Sequence, residues 1–271
     1  MITKDIDNIE FKLKKDFNFS FLSDYGEVFA VFDKQDSGNL CFGVRSGNTK
    51  LFLKIAGPST IMSHVSEASA IERLKATTQI YEDLRHPKLI GLIEHKEIEN
   101  GYLLVFPWFD GECMGKQYGL FEKFIKLPLN EKLNIYNDIL IFHRHVNDNN
   151  YIAIDFYDGS IMYNFDNQEA MLCDIEFYSK KPVINTLGRM WGSGRFMSPE
   201  EFILNEEIDE RSNVFCMGAT AFQLFGGGLD RSVEKWGASL KKYEVAIKAI
   251  QEKKADRYQS ITEYISAWNS A

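Results

Sequence analysis

Cysteine is scarce in this 271-residue chain, and the four present, Cys41, Cys113, Cys173 and Cys216, are far apart. No Cys-x-x-Cys pair suggests a zinc or redox site, and so few cysteines in so long a chain argue against an extracellular disulfide framework. Six prolines and 19 glycines exclude collagen-like and Pro/Gly-rich classes. No apolar run approaches the roughly 18 residues of a membrane helix. The opening stretch, MITKDIDNIEFKLKKDF, is charged throughout and lacks the apolar core of a signal peptide. Positive charge is also short. With 31 Lys and Arg against 39 Asp and Glu, the net charge is −8 and no basic block exists, which speaks against nucleic acid or an anionic membrane as a partner. The expectation is a soluble, reduced, cytoplasmic protein.

What the chain does have is a core. At 45% hydrophobic and 14% aromatic residues it holds enough apolar surface for one large core or two small lobes. Residues 1–60 alternate period-two apolar runs with Gly/Asn/Asp turns (FNFSFLSDYGEVFAVFD, GNLCFGVRSG, NTKLFLKIAG), the pattern of antiparallel strands. SHVSEASAIERLKATTQIYEDLRH then reads as a helix N-capped by Ser66, with Ile71, Leu74, Thr78 and Tyr81 on one face. Strands are predicted again in LIGLIEHKEIE and GYLLVFPWF. From about residue 112 the pattern turns helical. NEKLNIYNDILIFHRHV, NVFCMGATAFQLF, LKKYEVAIKAIQEKK and SITEYISAWNS carry the helices, and residues 150–180 form a short mixed strand and loop region. The fold class is therefore α+β, a β-rich part over residues 1–109 followed by a helical part over 110–271.

Four features converge in chain order: Lys54 at the end of a strand, a helix containing Glu67, Asp155 and Asp174 in loops, and Ser198-Pro199-Glu200 shortly after. This order, and above all GSGRFMSPEEF, resembles the eukaryotic-type protein kinase family over residues 17 to 268 or so. The resemblance implies a two-lobed fold with ATP and Mg²⁺ (or Mn²⁺) as cofactors. Lys54 would bridge the α- and β-phosphates and Glu67 would hold it. Glu67 is preferred to Glu72 because Ala70, Ile71 and Leu74 supply an apolar face at the right offsets. Ungapped counting from His86-Pro87 would instead put Thr77 there. Asp155 matches the catalytic aspartate and Asp174 the metal aspartate. Gly26 and Val28 match the end of the glycine-rich loop, Phe106 the residue behind the adenine, and Trp108 the hinge. Glu200 and Arg257 would form a structural ion pair.

Departures from the family pattern are as informative. Ala153-Ile154 replaces the His-Arg before the catalytic aspartate, so a phosphorylated loop, with Thr186 or Ser193 as acceptor, has lost its usual docking cation. Tyr157 stands in place of lysine. Ser160 replaces the metal-binding asparagine, with Asp158 as a possible substitute. Asp174-Ile175-Glu176 replaces Asp-Phe-Gly and is similar to the metal element of aminoglycoside and choline phosphotransferases. The resemblance thus implies a serine/threonine kinase-like phosphotransferase acting on a protein, with a nucleotide-binding or scaffolding pseudokinase that engages a partner protein as the alternative and a small-molecule phosphotransferase as a further one. His143 and His145, two apart on a helix, face different directions and cannot share a metal. Gly226-Gly227-Gly228 follows a helix and reads as a cap and turn.

Overall fold

The computed structural model describes residues 1–34, 37–115 and 118–271. The chain is a mixed α+β protein that divides into two compact units, one of residues 1–85 and 90–109, the other of residues 86–89 and 110–271.

The first unit opens with a hairpin of β1 (Ile2–Ile6) and β2 (Ile9–Leu13). Asp7 and Asn8 form its two-residue turn with φ of 53° and 67°, the left-handed pair that matches strand twist and that Asp and Asn tolerate. Five antiparallel strands follow: β3 (Glu27–Phe32), β4 (Asn39–Ser46), β5 (Thr49–Ala56), β6 (Glu94–Ile98) and β7 (Gly101–Pro107), in the order β3-β4-β5-β7-β6. One face of this sheet carries Val28, Phe42, Val44, Leu53 and Ile55 against Phe11, Leu13 and Phe19. Phe11, Phe19 and Phe42 meet in pairs at 5.4–5.6 Å.

Two expectations change here. FNFSFL is not strand: Ser20–Asp24 is a 3-10 turn. The Asn18 side chain accepts the Ser20 N–H and Ser23 Oγ donates to the Ser20 carbonyl, local bonds that compete with a strand ladder. Helix α1 (Glu67–Asp83) is capped by Ser66, but its buried face is Ala70, Leu74, Thr77 and Tyr81, with Ile71 and Thr78 only half-buried. Thr77 tolerates burial because its hydroxyl donates to the Arg73 carbonyl at 2.9 Å.

The second unit contains β8 (Glu112–Cys113), α2 (Phe121–Ile125), α3 (Leu129–Asp148), β9 (Tyr151–Ile152), β10 (Ile161–Asn164), β11 (Glu169–Leu172), β12 (Ser179–Lys180), β13 (Val183–Ile184), β14 (Glu207–Ile208), α4 (Glu210–Phe225), α5 (Leu240–Ala249) and α6 (Ile261–Ser270). Ile135, Tyr136, Ile139, Leu140, Phe142, His143 and Val146 recur at three- and four-residue spacing and bury one face of α3. Helix α4 is buried from Ser212 to Phe222 without a break, so it is the centre of this unit. The glycines after it close the helix, with Gly226 and Gly228 N–H groups both donating to the Phe222 carbonyl. His143 is fully buried against the Ile139 carbonyl and the Tyr178 hydroxyl, and burial holds its pKa down at about 4. Among the described residues no helix is long and apolar enough to cross a membrane.

Candidate functional site

In the first unit, Lys54 lies on β5, the middle strand, opposite Cys41 on β4 and Leu104 on β7. Phe52, two residues earlier, shares its face and sits opposite Gly43 and Phe106. That face is strongly aromatic. Trp108 meets Phe29 at 4.8 Å and Phe52 and Phe32 at 6.4 Å. A Cβ on Gly43 would come within 2.8 Å of both the Phe29 and Trp108 rings, so glycine is required for the rings to approach the sheet. Phe106 is 4% exposed and packs between Tyr81 and Phe52. The Trp108 N–H donates to the Lys50 carbonyl at 3.1 Å, while Pro107 has none to offer.

Gly26 and Val28 serve the fold of this unit. Gly26 precedes β3 at the sheet edge, and its N–H returns to the Leu22 carbonyl. Its φ is +126°, and a Cβ there would lie 2.3 Å from the Arg45 carbonyl oxygen. The Val28 N–H donates to the Asp7 carboxylate at 2.7 Å, and its side chain is 2% exposed in the core. The amides of Gly26 and Val28 are therefore already engaged. β3 and β4 pair antiparallel and are joined in the chain through residues 33–38, of which Gln35 and Asp36 lie outside the described residues. Glu67 begins α1, where an acid is favoured by the helix dipole, and its carboxylate pairs with Lys15 at 2.9 Å.

In the second unit, a single hairpin gathers the loop aspartates. Ile161 of β10 faces Leu172 of β11, so Ser160 entering and Asp174 leaving share one end. The Cys173 N–H donates to the Ser160 carbonyl at 2.9 Å. Asp155 and Asp174 both adopt left-handed backbone, φ 63° and 60°, a conformation uncommon for residues other than glycine. Burial, then the charges of Asp174, Tyr118, Asp155 and Cys173, push the Tyr157 hydroxyl far above its usual range. Both carboxylates thus act on one phenol. The Tyr157 ring lies on Gly159, where a Cβ would be 2.4 Å from it. A Cβ on Gly192 would lie 3.5 Å from Asp155 Oδ1, which brings the 177–198 segment beside the same carboxylate.

Asp158 is spoken for. Arg195 donates to both its oxygens at 2.8 Å, and the aspartate side chain is 2% exposed. Ser160 Oγ, by contrast, is buried with no hydrogen-bond partner. Ile154 joins Ile152, Val183, Met190, Met197 and Ile208 in an apolar cluster.

Below the segment, Arg257 donates to both oxygens of Glu200 at 2.7 and 3.0 Å, with side chains 0% and 4% exposed. Burial pushes the Glu200 carboxyl up, but hydrogen bonds from Arg257 and Ser212 outweigh it and the net shift is downward. Its neighbour Glu201 moves the other way. Burial, helped by the Glu200 charge, raises its pKa to about 7 against the bonds from Ser198, whose N–H and hydroxyl both donate to Glu201 Oε2.

The second unit therefore brings together Asp155, Ser160 and Asp174, to which the structure adds Tyr157 and the Asp158–Arg195 pair. In the sequence Tyr157 showed only as a departure from pattern. Arg195 carried no local signal. Among the described residues, no three His, Cys, Asp or Glu side chains gather into a group that could hold a metal. No protein-family model matches the chain.

Proposed function

We propose that this chain is a two-lobed, protein-kinase-like ATP phosphotransferase acting on a serine or threonine hydroxyl of a protein. The observation that carries the reading is the pair of loop aspartates: Asp174 and the unpartnered Ser160 hydroxyl share one end of the β10–β11 hairpin, and the charges of both Asp155 and Asp174 add to burial in raising the Tyr157 phenol. Phosphoryl transfer asks a protein mainly for positioning and charge, and two loop carboxylates beside a buried hydroxyl without a partner fit that demand.

In this reading Asp155 orients the acceptor hydroxyl and takes its proton, and Lys54 is the fixed cation for the α- and β-phosphates. Asp174 and Ser160 would hold Mg²⁺ or Mn²⁺, which would neutralise phosphate charge. The unpartnered Ser160 hydroxyl suits such a ligand, and so sparse a donor set leaves the remaining positions to water and phosphate oxygens. Tyr157 stays protonated through neutral pH, so the two carboxylates border a neutral phenol and not a third anion.

A second reading, a nucleotide-binding or scaffolding pseudokinase that engages a partner protein, is favoured by the aromatic cover on the Lys54 face and by the engaged amides of Gly26 and Val28. ADP release with Mg²⁺ or Mn²⁺ separates the two. The Asp155→Asn variant is expected to lose turnover by about 10²-fold or more while keeping its nucleotide-induced rise in Tm. Lys54→Met should lose that rise. Nucleotide stabilisation without ADP release would favour the nucleotide-binding pseudokinase, and neither effect in the parent would sink the phosphotransferase and leave only the scaffold.

A further inference from the structure

Three kinds of interaction hold the segment from Phe177 to Ser198. Its apolar side chains Val183, Met190 and Met197 pack against Ile152, Ile154 and Ile208. Its backbone pairs through β12 on β9 and β13 on β14, and the Met190 N–H donates to the Glu201 carbonyl at 2.9 Å. Asn185, fully buried, donates to the carbonyls of Gly188 and Glu201.

The third interaction is ionic. Arg195 grips both oxygens of Asp158, reaches Gln223 of α4 at 3.3 Å, and lies over the Phe196 ring at 4.9 Å. Asp158 belongs to the 3-10 turn Asp158–Ser160, between Asp155 and Ser160 in the chain. A fork gripping both oxygens of a buried carboxylate fixes orientation as well as distance, which a lysine would not. One guanidinium therefore joins three elements: the loop carrying Asp155 and Ser160, the segment beside Asp155, and the central helix.

We propose that Arg195 is a positioning residue: its pair with Asp158 holds the Asp155–Ser160 loop against the 191–198 segment, so that the loop is ordered with Thr186 and Ser193 unmodified. The proposal rests on the phosphotransfer reading for its consequence, but its geometry can be tested without activity. Thr186 is exposed, and Ile154, where a docking arginine would be needed, has no donor. The fork and the apolar cluster do together what a phosphate and that arginine would do.

The experiment uses the full chain, phosphatase-treated and confirmed by mass spectrometry to be unmodified at Thr186 and Ser193. Amide hydrogen exchange is followed in peptides covering 155–160 and 190–198, alongside ADP release with Mg·ATP. The parent is expected to protect both peptides. Arg195→Lys and Asp158→Asn should each speed exchange in the two peptides together by about tenfold or more, with α5 and α6 unchanged. Arg195→Lys should lower kcat by more than about tenfold with KM for ATP within about twofold. The charge-reversed double variant, Arg195→Asp with Asp158→Arg, should recover part of the protection.

Two results would overturn the proposal: unchanged exchange in both single variants, or loss of more than about tenfold of the parent's turnover on dephosphorylation. A parent without turnover whose two peptides remain coupled would sink the phosphotransfer reading and leave Arg195 as the staple between loop and segment. An active parent with uncoupled peptides would do the reverse.

Discussion

The Gly26–Val28 corner of the first unit and the Asp155–Ser160 loop of the second both attracted attention as sequence, and their chemistry is opposite. At the corner every feature is explained by the fold. Glycine is needed because the Arg45 carbonyl passes 2.3 Å from where a Cβ would be, and the two amides end on Leu22 and Asp7. At the loop, one group is left unmet: the Ser160 hydroxyl is buried without a partner, beside a Tyr157 phenol whose pKa is raised by burial and then by the Asp174 and Asp155 charges. A frame position is recognised by satisfied bonds and a candidate site by unmet capacity. Glu200 and Glu201 are both hydrogen-bonded and differ in charge: Arg257 faces Glu200 and lowers its pKa, while burial raises that of Glu201 to about 7.

The largest expected effect lies in the frame. Removing either Glu200 or Arg257 strands a buried charge and should cost roughly 3–5 kcal/mol in urea unfolding. Because the two share one interaction, the double variant should lose less than the sum of the singles. Additive losses would show that the pair is not coupled.

Glu201 should answer to pH. Its folded pKa lies above that of the unfolded chain, so its contribution is fully present below about pH 4.5 and declines as pH rises through about 7, by up to about 3 kcal/mol. Glu201→Gln keeps an oxygen for Ser198 and removes the charge. Its Tm advantage over the parent should be larger at pH 8 than at pH 5, and an advantage independent of pH would contradict the assignment.

Two small substitutions sharpen the contrast further. Gly26→Ala should destabilise by about 1–3 kcal/mol through strain and overlap while leaving the Mg·ATP-induced Tm shift of the folded protein unchanged. Ser160→Ala should do the reverse. Removal of an unpartnered hydroxyl is expected to change apo stability by less than about 0.5 kcal/mol, yet to reduce the nucleotide-induced shift with Mg²⁺ or Mn²⁺. If Ser160→Ala left that shift intact, the serine would be no metal ligand.

Much of the fold was legible because its signals are local. Period-two apolar runs mark β4, β5 and β7, three- and four-residue spacing marks α3 and α6, and Ser66 announces α1. The N-terminal hairpin and the 3-10 turn at Ser20–Asp24 were less legible. Charges between the isoleucines mask the alternation of the first, and Asn18 and Ser23 divert an apolar run in the second. Thr77 hid the true face of α1 because a polar residue breaks an apolar pattern even where its hydroxyl is satisfied within the helix.

By itself the sequence determined the α+β class, most element types and the caps at Ser66 and Gly226, since these depend on neighbours within a turn or a strand. The tertiary structure alone decided how each polar group is used. Asp7 reaches Val28 across 21 residues and Arg195 reaches Asp158 across 37. Partners at such separations are chosen by where loops are held in space, and no periodicity records that choice. The same holds for the pKa of Glu201 and the engaged amides of Gly26 and Val28, because burial and hydrogen-bond partners belong to the packed chain and not to the residue.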